Sequence, residues 1–189
     1  MSRRSSKPVP LSPGDLWQGG WGVHLMGAAG VGVAGLARLL AEAGNRVDGC
    51  DGAPGPLGGW LRQRGIEVRR GHDASHLDAS VQAVVRSSAV PDGHPECRAA
   101  RERGLPVWAR GDVLAAVCAR RPVAAVSGTH GKTTTATLLT QLLRAGGRDP
   151  GYVIGACCPA LDGPAAPGSD RLLVAEADES DGTVAGYRP

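Results

Sequence analysis

Phenylalanine is absent from this chain, and aromatic residues make up only 3% of it. A core must therefore be built from Ala, Val and Leu. No basic stripe interleaved with aromatics exists, the net charge is a modest +3, and the Arg residues are scattered. Nucleic acid is not expected as a partner. No run of about 18 apolar residues free of glycine and charge occurs, so membrane insertion is not expected either. The five cysteines, Cys50, Cys97, Cys118, Cys157 and Cys158, are odd in number and form no C-x-x-C pair. That usage fits a reduced, cytoplasmic protein rather than a disulfide framework. Lysine is nearly missing: of 21 Lys+Arg, only Lys7 and Lys132 are lysines. The start, Met1 to Pro10, is basic and broken by proline. It opens as a twin-arginine export signal does, but runs into Pro13-Gly14-Asp15 instead of an apolar stretch. Residues 1–18 read as a disordered tail.

The position of the second lysine is informative. Gly128-Thr129-His130-Gly131-Lys132-Thr133-Thr134 follows an apolar run, Val123 to Val126, and precedes a helix-like segment, Ala136 to Arg144. Strand, glycine-rich turn and helix is the context of a phosphate-binding loop. Backbone N–H groups and the helix N-terminus cradle phosphate oxygens. Lys132 can reach the β/γ-phosphates of ATP, and the Thr133 hydroxyl can sit on Mg²⁺. A compact ammonium suits this place better than a planar guanidinium. The match to G-x-x-x-x-G-K-[ST] is imperfect, because Val126 stands six positions before the lysine. The competing reading is a glycine turn capped by threonine, with a surface lysine. Agreement of loop, lysine, hydroxyl and flanking elements favours phosphate.

Strand and helix alternate along the chain. Strands are expected at Val23–Met26, Arg46–Cys50, Ile66–Val68, Val81–Val85 and Leu105–Trp108, with helices at Leu36–Ala43, Trp60–Arg64, Pro95–Arg103 and Val113–Ala119. This is an α/β pattern, a Rossmann-like parallel sheet with helices on both faces. A boundary falls at Arg120-Arg121-Pro122, separating a unit at 19–119 from an α/β unit of P-loop type at 120–189. The latter continues with a strand at Tyr152–Ile154, a loop from Pro159 to Gly168, and a strand at Leu172–Ala175.

Within the first unit, Gly30-Val31-Gly32-Val33-Ala34-Gly35 fits G-x-G-x-x-G, and Asp51 closes the next strand. Glycines there let backbone approach a pyrophosphate, and the carboxylate takes ribose hydroxyls. Close helix–strand packing without a ligand is the alternative. Glu176 is the first acid after the last strand and opens Glu176-Ala177-Asp178-Glu179-Ser180-Asp181. A carboxylate so placed can hold Mg²⁺ beside a nucleotide; a solvated acidic loop is the alternative. His72 and His76 lie at i, i+4 with Asp73 between them. The loop-like composition around Gly71 favours a surface turn over a metal pair.

These stretches together resemble the Mur ligase family. The match is carried by His24-Leu25-Met26-Gly27 with its glycine loop, Ser87-Ser88-Ala89-Val90-Pro91, Pro95-Glu96 with Ala99-Ala100-Arg101, Gly128 to Thr134, and Ala175 to Asp181. The resemblance runs from about Gly22 to the last residue. It implies a first domain that binds the UDP moiety of a sugar substrate, not NAD. It implies a central ATP-binding domain, of which residues 120–189 are the N-terminal part, and a third domain that brings the amino acid. The implied activity is ATP-dependent amide synthesis from UDP-N-acetylmuramate and L-alanine through an acyl phosphate, in peptidoglycan precursor synthesis. Lys132 would neutralise the transferring phosphoryl group, and Gly128, Thr129, His130, Gly131, Lys132, Thr133 and Thr134 would bind ATP. Thr133 and Glu176 would hold Mg²⁺. Gly30, Gly32, Asp51, His72 and Ser87 would contact the UDP substrate. His130 receives no acid/base role. Ala29 stands where the family has another glycine, and Thr183-Val184 replace a more usual Ser-Phe. The absent third domain implies that the chain alone is inactive. Three other readings remain: a non-catalytic nucleotide-binding fragment, a related ligase that recycles murein tripeptide, and a nicotinamide-dependent dehydrogenase argued from the first glycine loop alone.

Overall fold

The computed structural model describes residues 12–177. Five parallel strands form one sheet: β1 (Gly22–Met26), β2 (Arg46–Asp51), β3 (Glu67–Arg70), β4 (Ala83–Arg86) and β5 (Val107–Ala109), in the order β3-β2-β1-β4-β5. Four helices connect and cover it: α1 (Val31–Glu42), α2 (Gly55–Arg62), α3 (Pro95–Glu102) and α4 (Arg110–Cys118). Every residue of β1 is buried, as expected of a central strand covered on both faces. Its side chains alternate between two cores. Val23 and Leu25 join the α1 and α4 residues Leu36, Leu40, Val113 and Val117. Met26 packs with Cys50, Val84, Cys97 and Ala100 on the α3 side. The strand order reverses direction beside β1, so the carboxyl ends of β1 and β4 flank a crevice of the kind that holds ligands in open α/β sheets.

A second sheet follows. β6 (Val123–Val126), β7 (Gly151–Val153), β8 (Ala165–Ala166) and β9 (Leu173–Glu176) lie in the order β6-β9-β7-β8, with α5 (Lys132–Ala145) after β6. Only β8 is antiparallel. The register sets Val126 opposite Glu176, which brings the last strand's carboxylate to the mouth of the loop that follows β6. The segment from Pro159 to Gly168, expected to be loop throughout, contains β8. A two-residue strand is too short for a periodic signal. Helices α1 and α5 begin at Val31 and Lys132, four or five residues before the apolar stretches that announce them.

The expected tail is shorter than residues 1–18. Pro13–Gln18 forms a 3-10 helix closed by Ser12 and Asp15, with the Ser12 N–H donating to Asp15 Oδ2 at 2.9 Å. Leu16 is fully buried in the main core, and Asn45 Nδ2 donates to its carbonyl at 2.7 Å. The apolar pair Leu16-Trp17 is too short for periodicity, so this anchor is invisible without its partners. The rest of that expectation, residues 1–11, lies outside the described residues.

Helix α1 serves both sheets. A Cβ on Gly35 would sit 3.2 Å from Ala165 Cβ on β8, tighter than most such contacts. The third glycine of the G-x-G-x-x-G turn is therefore spent on packing the two sheets' layers together. Val153, Ala165, Leu173 and Ala175 accordingly belong to the same core cluster as α1. Polar groups clamp the rim of this contact. Arg38 Nη1 donates to the carbonyls of Asp162 and Ala165, each at 2.9 Å. Arg64 pairs with the Asp162 carboxylate and lies 4.1 Å over the Trp60 ring. The Arg64 hydrogen bond, with Arg38 nearby, holds the Asp162 carboxyl below the ordinary carboxylate range.

Replacing Gly35 by Val should overpack this contact and cost about 1–3 kcal/mol in stability, measured by urea denaturation. Ala165→Gly in the same chain should recover part of that loss; a Gly35→Val chain as stable as its parent would mean the contact has slack. The Asp162 contribution is present above its unfolded pKa and is lost as pH falls through its lowered folded value. Asp162→Asn should therefore lower stability at neutral pH, leave it little changed below the folded pKa, and so flatten the acid limb of the stability profile.

Candidate functional site

The loop after β6 turns into α5 at Gly131, whose φ of 75° lies in the left-handed region that glycine adopts without strain. This turn sets the first N–H groups of α5, a fourteen-residue helix, free of intrahelical partners and facing outward from the N-terminus. Gly128, Thr129, His130, Gly131 and Thr134 are exposed around it. Lys132 Nζ folds back and donates to the Gly128 carbonyl at 2.9 Å. The ammonium thus lies across the cradle that phosphate oxygens would enter.

Glu176, at the end of β9, faces the same turn. Thr133 Oγ1 is 3.1 and 3.0 Å from its two carboxylate oxygens. The Gly155 N–H, just past β7, donates to Glu176 Oε2 at 2.6 Å. Three elements far apart in sequence meet here. The hydroxyl and the carboxylate are both hard oxygen donors, which is the donor chemistry Mg²⁺ selects.

A cleft of ≈ 290 Å³ opens between the two sheets and continues from this point. Gly30, Gly32, Ser87 and Arg110 line it from the first sheet; Gly155 and Glu176 line it from the second. Of the residues expected to touch a UDP substrate, Gly30, Gly32 and Ser87 therefore do share one cavity, and that cavity reaches the expected metal carboxylate. Ser87 Oγ accepts from the Ala89 N–H at 3.2 Å, which shapes the turn after β4.

Asp51 and His72 stand elsewhere. Asp51 Oδ2 accepts from the Ala29 N–H at 2.9 Å and Oδ1 from the Ala53 N–H at 2.8 Å. Its carboxylate pins the glycine turn through the backbone, so its effect on a ligand passes through that turn. His72 Nδ1 lies 3.0 Å from Cys50 Sγ, under the α3 side of the sheet. His76 is not on the surface turn its neighbours suggested: its side chain is 13% exposed and inserts beside Glu96. Asp178 to Asp181 lie outside the described residues.

Sequence reasoning overlooked Gly155 and Arg110. Both follow or end parallel strands at the carboxyl edge, the one signal that could have found them. Among the described residues, no helix is long and apolar enough to cross a membrane.

Comparison with known proteins agrees with this geometry. The model of the Mur ligase family, catalytic domain, matches residues 22–122. A UDP-N-acetylmuramate–L-alanine ligase of Kineococcus radiotolerans is 48% identical over 169 residues, covering 88% of this chain and 36% of the relative. One from Synechococcus sp. (strain CC9605) is 42% identical over 174 residues, with 88% and 37% covered. The chain thus spans little more than a third of the length of these curated relatives. The crystal structure of a UDP-N-acetylmuramate-alanine ligase from Thermotoga maritima superposes with a TM-score of 0.79 at 28% identity, covering 84% of this chain and 37% of that one. A murein peptide ligase from Psychrobacter arcticus superposes at 0.76 with 30% identity, covering 85% and 38%. With a glycine-loop sheet, a lysine-bearing second loop and a cleft lined from both sheets, the chain belongs to the Mur ligase family.

Proposed function

We propose that this chain carries the UDP-substrate and nucleotide sites of an ATP-dependent ligase that joins L-alanine to UDP-N-acetylmuramate in cytoplasmic peptidoglycan precursor synthesis. Residues 19–119 would be the UDP-substrate-binding domain, and residues 120–189 the N-terminal part of the ATP-binding central domain. The observation that carries this reading is the single cleft that reaches from Gly30, Gly32 and Ser87 to Glu176. A ligase of this class must bring a sugar-linked carboxylate, held by its diphosphate, against the γ-phosphate of ATP. A cleft with a glycine turn at one end and, at the other, the Glu176 carboxylate bonded to Thr133 of the phosphate loop would meet that demand.

The substrate carboxylate attacks the γ-phosphate, and the β–γ bridging oxygen leaves with ADP. The amine of L-alanine then attacks the acyl phosphate carbonyl, and phosphate is expelled. Phosphoryl transfer of this type depends on positioning and charge neutralisation. The Gly131–Thr133 backbone would orient the triphosphate. Lys132 would leave the Gly128 carbonyl and neutralise the transferring group. Thr133 and Glu176 would hold Mg²⁺, which supplies charge for the β- and γ-oxygens. Gly155, through its N–H on Glu176, would keep that carboxylate aimed at the loop. No described residue is assigned to the L-alanine amine.

A second reading, a ligase recycling murein tripeptide, is favoured by the resemblance to the Psychrobacter arcticus protein. The two share the same nucleotide and UDP-sugar chemistry and differ in the amine. In a complete enzyme bearing this segment, comparing turnover with L-alanine and with the tripeptide separates them, and preference for the tripeptide would overturn the first reading.

Calorimetry should show UDP-N-acetylmuramate binding to the 189-residue chain and no binding of NADH. Asp51→Ala should weaken the UDP-N-acetylmuramate interaction by about 1–3 kcal/mol, because the Ala29 N–H loses its acceptor and the turn loosens. Tight NADH binding with none for UDP-N-acetylmuramate would reverse the assignment.

At the second loop, Lys132→Met in a complete enzyme should lower kcat more than it raises KM for ATP, by roughly 10²-fold or more. Lys132→Arg should not restore it, since a planar fork cannot replace a point charge in this turn. Glu176→Gln should raise the Mg²⁺ concentration needed for half-maximal rate. Unchanged Mg²⁺ dependence, together with near-full turnover of Lys132→Arg, would refute both roles.

A further inference from the structure

Beneath the five-stranded sheet, on the face away from α1, four metal-binding side chains converge. They are His24 from β1, Cys50 from β2, His76 from the 3-10 turn Ala74–His76, and Glu96 from the first turn of α3. One ligand atom from each lies within 4.8 Å of all the others. His24 Nε2 is 3.0 Å from Glu96 Oε1 and 3.4 Å from Cys50 Sγ. Cys50 Sγ is 3.7 Å from the same Glu96 Oε1, and His76 Nδ1 is 3.6 Å from it. These separations match the edges of a tetrahedron whose centre stands about 2.0–2.3 Å from nitrogen, oxygen and sulfur ligands.

Three further observations point to a ligand. Glu96, His24 and Cys50 are fully buried, deep in a core where an acid and an imidazole need a reason to be. His76 Nδ1 is buried and has no hydrogen-bond partner, although it is aimed at this centre. His24 Nδ1 lies 2.6 Å from Asp48 Oδ1, so its other nitrogen is fixed towards the cluster. A carboxylate behind a ligating histidine is the usual outer support of a metal site. Burial and the neighbouring Glu96 push the Cys50 thiol well above its ordinary pKa, so as a free thiol it is inert. A bound transition-metal ion would hold it as the thiolate.

We propose that His24, Cys50, His76 and Glu96 form a structural site for a divalent transition-metal ion of the Zn²⁺ class. Thiolate and imidazole ligands select such an ion over Mg²⁺, which prefers oxygen. His72 stands at the edge of the site, 3.0 Å from Cys50 Sγ, and its side chain is mostly buried. The site is separate from the Thr133–Glu176 pair and serves a different cation. It ties together β1, β2, the turn before β4 and the start of α3. Cys50 is followed directly by Asp51, whose carboxylate holds the glycine turn. An ion here would therefore brace the strand end on which that turn rests.

The test uses the 189-residue chain without a histidine tag, carrying Cys157→Ser and Cys158→Ser so that the less buried thiols take no metal. Zn²⁺ titrated against a chromophoric chelator should bind at one equivalent in the presence of excess Mg²⁺. Co²⁺ should give the visible bands of a tetrahedral ion and a thiolate-to-cobalt charge-transfer band. Cys50→Ser should abolish the charge-transfer band. Asp48→Asn should weaken Zn²⁺ binding by about 10–100-fold while circular dichroism stays unchanged. If Cys50→Ser fails to fold, His76→Ala, at the outer side of the cluster, should keep the fold and lose the tight Zn²⁺ site. No stoichiometric Zn²⁺ binding, an octahedral Co²⁺ spectrum, or a charge-transfer band that survives Cys50→Ser would each show that the cluster is a hydrogen-bonded core network only.

Discussion

The approach of α1 to β8, at Gly35 and Ala165, is the constraint on which the candidate site rests. Residues of both sheets line the cleft. A helix can touch two sheets this closely only where it offers no side chain at the crossing. Arg38 and Arg64 then flank the bare contact with directional bonds to Asp162 and Ala165, and the Trp60 ring lies under Arg64. Close apolar packing sets the separation, and the polar rim sets the angle. The distance between the glycine turn and Glu176 is a consequence of both.

Much of this was legible in the sequence because local and global signals agreed. The loop from Gly128 to Thr134 combines turn, helix start, cation and hydroxyl in seven consecutive residues, and its structure follows from that string. Glu176 was legible because an apolar strand ends on it, and the parallel register with β6 delivers it to Thr133. The parallel sheet followed from strand–helix alternation, whereas the order of its strands is set by pairings that alternation alone does not fix. The less legible features depend on pairs far apart in the chain. Leu16 and Trp17 are a short apolar pair without periodicity, and their burial comes from packing against the main core. Gly155 has no side chain to announce that its N–H meets a carboxylate 21 residues away. His76 reads as surface because composition reports the loop around it, while its burial comes from α3.

Asp51 shows a subtler limit. Its position at the end of β2 is where a ribose-binding acid would stand, and sequence spacing alone cannot tell that role from another. Here both oxygens accept backbone N–H groups, one of them from the glycine turn. The same residue type at the same spacing thus supports the loop rather than reaching past it.

The Lys132 side chain, resting on the Gly128 carbonyl, gives the phosphate loop an acceptor of its own. In the proposed function, an incoming phosphoryl group would exchange places with that carbonyl instead of capturing an unengaged cation. On departure of the nucleotide the ammonium would have a partner to return to. The loop would in this sense be its own placeholder, within a reach of four residues.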